Sequence, residues 1–449
     1  MLHREFLMNQ KPTKTLIGLR CAWMSSVSEE EIAYVRDGAV AWDETGHFVF
    51  VGEWEQRPLL DDLVWNDQRG RLLLPGFVDV HAHLPQYPVV GRAGHELLPW
   101  LNRFVFPAEK AFSVARAREH APRFLHELKQ NGITTSVLFS SIHEDSTHEC
   151  FEHAEASGLR IVMGQMMMDR LSYSDLAPTE RLAAAVEGSE RLCARWHGTA
   201  NGRLRYAFSP RFAVACSMEL MQKTATLANQ SGAFIQTHLS ENREELRIVA
   251  GLFPEAPDYT GIYEQAGLLG QRTLMGHAIH LNAREREILA ATETKVAHCP
   301  SSNLFLQSGV MDWKSLDAAG VKWGLGNDVA GGPELSPWEV MKAAFHSHAS
   351  RAAEHEHPAV PSLARLFHAA TVGGAMVLGD GLHRGKLAPG QTADCVLWDT
   401  TGVLPYGECV LDRDVDEILS ALVFRGSRAQ VDQLWVEGEN CLAQVPQNV

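Results

Sequence analysis

Eight times between residues 77 and 329, a short apolar run precedes an amphipathic stretch with apolar residues at helical spacing. The runs cover 77–83, 133–139, 160–168, 204–210, 234–240, 273–279, 295–300 and 322–329. Helical stretches such as 115–131, 218–231 and 283–292 separate them. The runs are apolar throughout, as parallel strands covered on both faces must be. Alternation of this kind predicts an α/β fold, a (β/α)8 TIM-like barrel. The flanks differ: residues 15–74 and 386–449 carry short alternating strands, among them 39–42, 48–51 and 433–436, with Gly and Asp turns. Neither flank is long enough for a core of its own. The two ends are therefore expected to build one small β-sandwich domain, which divides the chain into 1–74, 75–385 and 386–449.

The bulk properties narrow the partners. With 55 acidic and 40 basic residues the chain carries a formal charge of −15, so phosphates would repel it. Nucleic acid and anionic membrane surfaces are not expected partners. The first eight residues, Met1 to Met8, bear charges where a secretory leader needs an apolar stretch, and no run is long enough for a bilayer. A cytoplasmic location is the expectation. Eight scattered cysteines with no Cys-x-x-Cys pair read as reduced, packed thiols rather than a disulfide frame or a thiolate zinc site.

In such a barrel, chemistry gathers at the C-terminal ends of strands. Those ends carry His81 and His83, then Arg211, then His238 and Glu241, then His277, then Asp328. His-x-His on a strand turns both imidazoles to one face, because side chains alternate with period two. With a third imidazole and a carboxylate from other strands, the set suits zinc or iron. His-x-His recurs at His346/His348 and His355/His357, but 338–357 reads as helix, where i and i+2 diverge. His280 competes with His277 for the role at strand six, and His298 at the end of strand seven is either pocket-lining or packing.

The pattern His-x-His, His, His, Asp on strands one, five, six and eight resembles the amidohydrolase superfamily. More specific pieces are Pro75-Gly-Phe-Val-Asp-Val-His-Ala-His-Leu-Pro-Gln86, Leu98-Pro-Trp-Leu101 and Phe106-Pro-Ala-Glu109. Further on stand Ser209-Pro-Arg-Phe212, Thr237-His-Leu-Ser-Glu-Asn-Arg243, His298-Cys-Pro-Ser-Ser-Asn-Leu304 and Asp328-Val-Ala-Gly-Gly332. Within the superfamily these resemble the guanine deaminase family, from about residue 72 to 330 and more loosely through both flanks.

The resemblance implies an aminohydrolase that breaks a cyclic amidine C–N bond, converting guanine to xanthine and ammonia. It makes His81, His83, His238 and Asp328 the ligands of one zinc, although iron suits the same donors. His277 would orient the attacking water, and Glu241 would shuttle protons. Gln86, Arg211 and Phe212, with His238 and Glu241, would hold the purine. It also implies a homodimer. Asn327 departs from the family, which usually has Thr before the Asp; its side chain is expected to point away from the metal. The segment 91–96 has no clear counterpart.

Rival readings share parts of this pattern. A sibling deaminase acting on a pterin, a modified purine or a cytosine-like ring would keep every ligand. Cyclic amide hydrolases commonly bridge two metals with a carboxylated lysine at the end of strand four, where this chain has Phe208-Ser-Pro-Arg211. Deaminases with cysteine ligands need a Pro-Cys-x-x-Cys segment that is absent. A catalytically dead scaffold would have lost ligands that this chain keeps.

Overall fold

The structure, a computed structural model, describes residues 16–59, 63–354 and 359–442. The charged start at Met1–Met8 and the His355/His357 pair lie outside the described residues. The apolar runs form eight parallel strands paired in chain order: Phe77–His83, Ile133–Phe139, Arg160–Gly164, Leu204–Pro210, Phe234–Leu239, Thr273–His277, Lys295–His298 and Trp323–Leu325. Backbone just past strand eight closes the ring onto strand one. Asp328 N–H donates to His81 O (2.8 Å), and His83 N–H donates to Val329 O (2.9 Å).

Several strands end earlier than the apolar runs suggest. Ser240, His277 and Asp328 adopt left-handed backbone (φ 50°, 70° and 50°), which turns the chain out of the ladder. Asp328 thus lies three residues beyond strand eight, in a loop held by strand one. Strand three breaks at Gln165 and resumes as Met166–Met167 against strand four. The covering helices follow their caps. Val114–Gln130 starts at Ser113, whose side chain accepts from Arg116 N–H, and Met218–Ser231 ends at Gly232 (φ 72°).

The chain ends share one seven-stranded sheet, in the order Glu439–Asn440, Gln430–Val436, Cys395–Asp399, Leu63–Pro75, Leu16–Ser26, Ile32–Trp42, Phe48–Glu53. All its pairings are antiparallel except that of Leu16–Ser26 with Leu63–Pro75. The sheet curls over a core of Leu19, Cys21, Trp23, Trp42, Phe48, Leu73, Leu397 and Trp435, making the small β-sandwich. Alternate residues, including Ala22, Met24, Leu72, Leu74, Val396 and Trp398, point the other way into the barrel's core. This is the period of two expected of strands buried on both faces.

A buried ion network ties the two units together. Arg160 on strand three donates to Asp394 (2.7 Å) and Glu437 (2.7 Å). The expectation of short strands alone through 386–449 needs correction. Val415–Arg425 is a helix, capped by Asp414, that buries Ile418, Leu419, Leu422 and Val423. Among the described residues no helix is long and apolar enough to cross a membrane.

Candidate active site

His81 and His83 occupy alternate positions near the end of strand one, so both rings enter the barrel mouth. His238 arrives from strand five and Asp328 from the loop after strand eight. Nε2 of His81 and Nε2 of His83 each lie 3.3 Å from Asp328 Oδ1, and His83 Nε2 lies 3.2 Å from His238 Nε2. His238 Nδ1 donates to the Arg211 carbonyl (2.6 Å), which fixes its tautomer and leaves Nε2 a bare lone pair. Strands six and eight make room for this cluster. A methyl on Gly276 would meet His81 Cε1 at 2.7 Å, and one on Gly326 would meet His81 Cβ at 2.7 Å.

These residues fit a metal ion. Burial lowers the pKa of His83 to about 4 and that of His238 well below its ordinary value, so both imidazoles are neutral donors. Burial opposes ionisation of Asp328, but the imidazoles of His81 and His83 beside it outweigh this and hold the carboxyl well below the usual range. Nε2 of His81 is buried with no hydrogen-bond partner among the described residues. Three imidazoles from strands one and five and one carboxylate therefore converge, and a cation is what satisfies such a set.

His277 and Glu241 stand beside this cluster. His277 Nδ1 bonds Asn303 Oδ1 (2.9 Å), which aims Nε2 at Glu241 Oε2 (3.4 Å) and Asp328 Oδ2 (3.7 Å). Glu241 begins a loop that Glu245 ties down by accepting from the N–H groups of Glu241 (3.0 Å) and Asn242 (3.1 Å). Burial, then the charge of Asp328, raises the Glu241 carboxyl to about 8. At neutral pH it can hold a proton and release one, as a proton shuttle must.

A narrow pocket opens over the cluster, lined by His83, Gln86, Leu97, Trp100, Leu101, Arg211, Phe212, His238, Glu241, His277, Leu306 and Asp328. Every site residue expected from the sequence other than His81 lines it, and His81 Nε2 lies 3.3 Å from Asp328, which does. The alternatives separate cleanly. His280 donates to the Ser308 carbonyl (2.8 Å) on the wall of a neighbouring basin, away from the cluster. His298 is buried against His348 (3.4 Å) and Trp323, and is a packing residue. His348 and His346 diverge on the helix Pro337–Glu354, the latter stacking on Phe424. Asn327 turns its side chain to Val329 N–H (2.9 Å) and not into the pocket.

The neighbouring basin, about 800 Å3, is roomier than the pocket itself. The two come together at Ser308, whose hydroxyl donates to Glu241 Oε1 (3.1 Å). The chemistry, not the volume, identifies the site. Sequence reasoning assigns no role to Asn303, Glu245, Ser308, Gly276, Gly326 or Glu109. Asn303 and Glu109 stand inside distinctive motifs, yet residue type alone did not reveal which side chains they hold.

A barrel with metal-ligating histidines at strands one and five and an acid after strand eight defines a class of metal-dependent hydrolases. The amidohydrolase family pattern matches residues 72–441, and the chain belongs to that family. A Deinococcus radiodurans protein named "Probable guanine deaminase" is 37% identical over 90% of this chain and 92% of its own length. The guanine deaminase of Escherichia coli is 33% identical, over 91% of this chain and 90% of its own. A crystal structure of guanine deaminase from C. acetobutylicum with guanine bound in its active site superposes with a TM-score of 0.85 at 26% identity. That likeness covers 95% of this chain and 100% of the other.

Proposed function

We propose that this chain is a guanine deaminase, hydrolysing guanine to xanthine and ammonia in purine breakdown. The observation that carries the reading is the pocket itself. Gln86, Arg211 and Phe212 line the same narrow pocket as His238, Glu241, His277 and Asp328. Its relatives over nine-tenths of the chain bear that activity in their names.

In this reading His81, His83, His238 and Asp328 hold one zinc, with iron the other ion suited to the donors. Bound there, zinc would make water nucleophilic near neutral pH. His277, steadied by Asn303, orients the attacking water, and Asp328 takes one of its protons. The water oxygen bonds to C2 while protonated Glu241 delivers its proton to N3. Glu241, now a carboxylate, takes the remaining proton of the C2 hydroxyl and passes it to the amino group. The C2–N bond breaks, ammonia leaves as the C2 carbonyl forms, and the proton held by Asp328 returns to Glu241. Phe212 lies against the ring face, and Arg211 donates to the C6 carbonyl. Adenine would offer an amino group there, so the Arg211 N–H that meets O6 would face a donor and find no acceptor, which disfavours it.

We also take 75–385 as the catalytic barrel, with 1–74 and 386–449 building the small domain. The resemblance further carries a homodimer, which light scattering on the purified protein tests. The charged start of the chain carries a cytoplasmic location, which cell fractionation tests. Ammonia release from guanine, adenine, cytosine, isocytosine and a pterin, with metal analysis, tests the activity. Preference for another ring would overturn the substrate and leave the metal site standing. Glu241→Gln should keep its metal and lose turnover by orders of magnitude, whereas His83→Ala should lose the metal too. Full activity in Glu241→Gln would sink the shuttle role.

A further inference from the structure

One buried charge beside the pocket has no part in the steps above. Glu109, on the short helix Phe106–Lys110, is 0% exposed. Its Oε2 accepts from Arg211 Nη1 (2.5 Å), and its Oε1 accepts from Gln86 Nε2 (2.8 Å). A single carboxylate therefore grips two of the polar side chains that face the ring. The grip dictates what each can offer. An ionised carboxylate only accepts, so it must meet the NH2 end of Gln86. That turns Gln86 Oε1 towards Ala330 N–H (3.3 Å) and leaves the second amide N–H for the pocket.

Arg211 has donors alone. The ring of Phe106, from the same helix, lies 5.0 Å from its guanidinium carbon and steadies it from a second side. Both polar arms are thus fixed as donors. The charge of Arg211 is offset before any ligand arrives, so the pocket has no need of an anionic partner. A neutral ring with a carbonyl or ring-nitrogen acceptor edge is the ligand that complements this arrangement.

We propose that Glu109 is a specificity-determining positioning residue. By fixing Gln86 and Arg211 as donors, it selects a neutral ring with an acceptor edge, as guanine has at O6. The proposal rests on the guanine reading above. In Glu109→Gln the new amide can turn either end to Gln86, which frees Gln86 to reverse and offer its oxygen, and Arg211 loses its counter-charge.

The test compares guanine with 2,6-diaminopurine, which carries the same amino group at C2 but an amino donor in place of O6. Wild type should favour guanine in kcat/KM by at least about a hundredfold. In Glu109→Gln that ratio should fall at least about tenfold, with the loss on guanine mainly in KM and metal content unchanged. Equal losses on both purines, leaving the ratio intact, would mean that Glu109 only supports the fold and would overturn the proposal. Should Glu109→Gln fail to fold, Glu109→Asp is read in the same way: its shorter reach keeps one of the two contacts. A ratio reduced at least about threefold supports the proposal, and a wild-type ratio overturns it. No guanine turnover by wild type would instead sink the guanine reading itself.

Discussion

Replacing Gly276 by Ala should cripple the metal site without touching a ligand. Gly276 lies on strand six, paired with His238, and its backbone faces the His81 ring. The added methyl would lie 2.7 Å from His81 Cε1, 3.2 Å from Nδ1 and 3.4 Å from Nε2. Carbon atoms in contact prefer about 3.5–4.0 Å, so the ring must retreat by roughly 1 Å. It has little room to do so. Gly326 presses on His81 from another strand, with its own missing methyl 2.7 Å from His81 Cβ, and the Phe139 ring centre is 5.2 Å away.

Overpacking of this kind costs about 1–3 kcal/mol of stability. Displacing a ligand by roughly 1 Å should lower turnover about a hundredfold and weaken metal binding by about 10- to 100-fold. Dialysis against metal buffers, followed by metal analysis, thermal melting and guanine turnover, reads all three. Gly251→Ala is the control. It lies within the helix Arg243–Leu252, and its methyl would meet nothing within 4 Å. That variant should gain about 0.5–1 kcal/mol and keep its metal. A Gly276→Ala protein with wild-type metal affinity would refute the argument that space around His81 limits the site.

Three other outcomes are expected. Asn303→Ala frees His277 Nδ1 from its 2.9 Å bond, so kcat should fall about 10- to 100-fold while metal content holds; steady-state kinetics with metal analysis checks this. Asp394→Ala removes one of the two carboxylates that hold Arg160, 3% exposed, and leaves it Glu437 alone at 2.7 Å. The half-satisfied buried cation should cost about 1–3 kcal/mol, visible as a lowered melting temperature. Acid should destabilise the fold through His348 and His368. Burial, then Arg351 for the first and Arg365 and Lys386 for the second, lowers each from 6.5 to about 4. The unfolded chain binds their protons below pH 6.5 and the folded chain does not until about pH 4. Stability is therefore full above that window and lost as pH falls through it, by up to about 3 kcal/mol per histidine. Denaturant midpoints at the two ends of the window should converge in a His348→Gln, His368→Gln double variant.

Much of the site was legible because the barrel ties function to strand ends. Once 77–83 reads as a strand, His81 and His83 must share a face, and the later histidines fall at equivalent ends of their own strands. The preference for His277 over His280 rests only on where the apolar run ends. The left-handed turn at His277 and the Asn303 bond turn its ring towards Glu241 and Asp328, and that bond depends on the loop after strand seven. The helix Val415–Arg425 escaped notice because its flank is otherwise strand-like, and its apolar face has meaning only against the barrel helix it covers.

By itself, the sequence determined the eightfold strand–helix alternation, the pairing of the two chain ends in one small domain, and the residues that gather in the candidate metal site. Each follows from local period and residue chemistry, which a chain carries with it. Only the tertiary structure decided which atoms meet. It placed Asp328 beyond its strand through backbone bonds to strand one, gave His81 its space with glycines from strands six and eight, and set Glu109 between Gln86 and Arg211. Those are contacts across 23 and 102 residues, and no local periodicity encodes them.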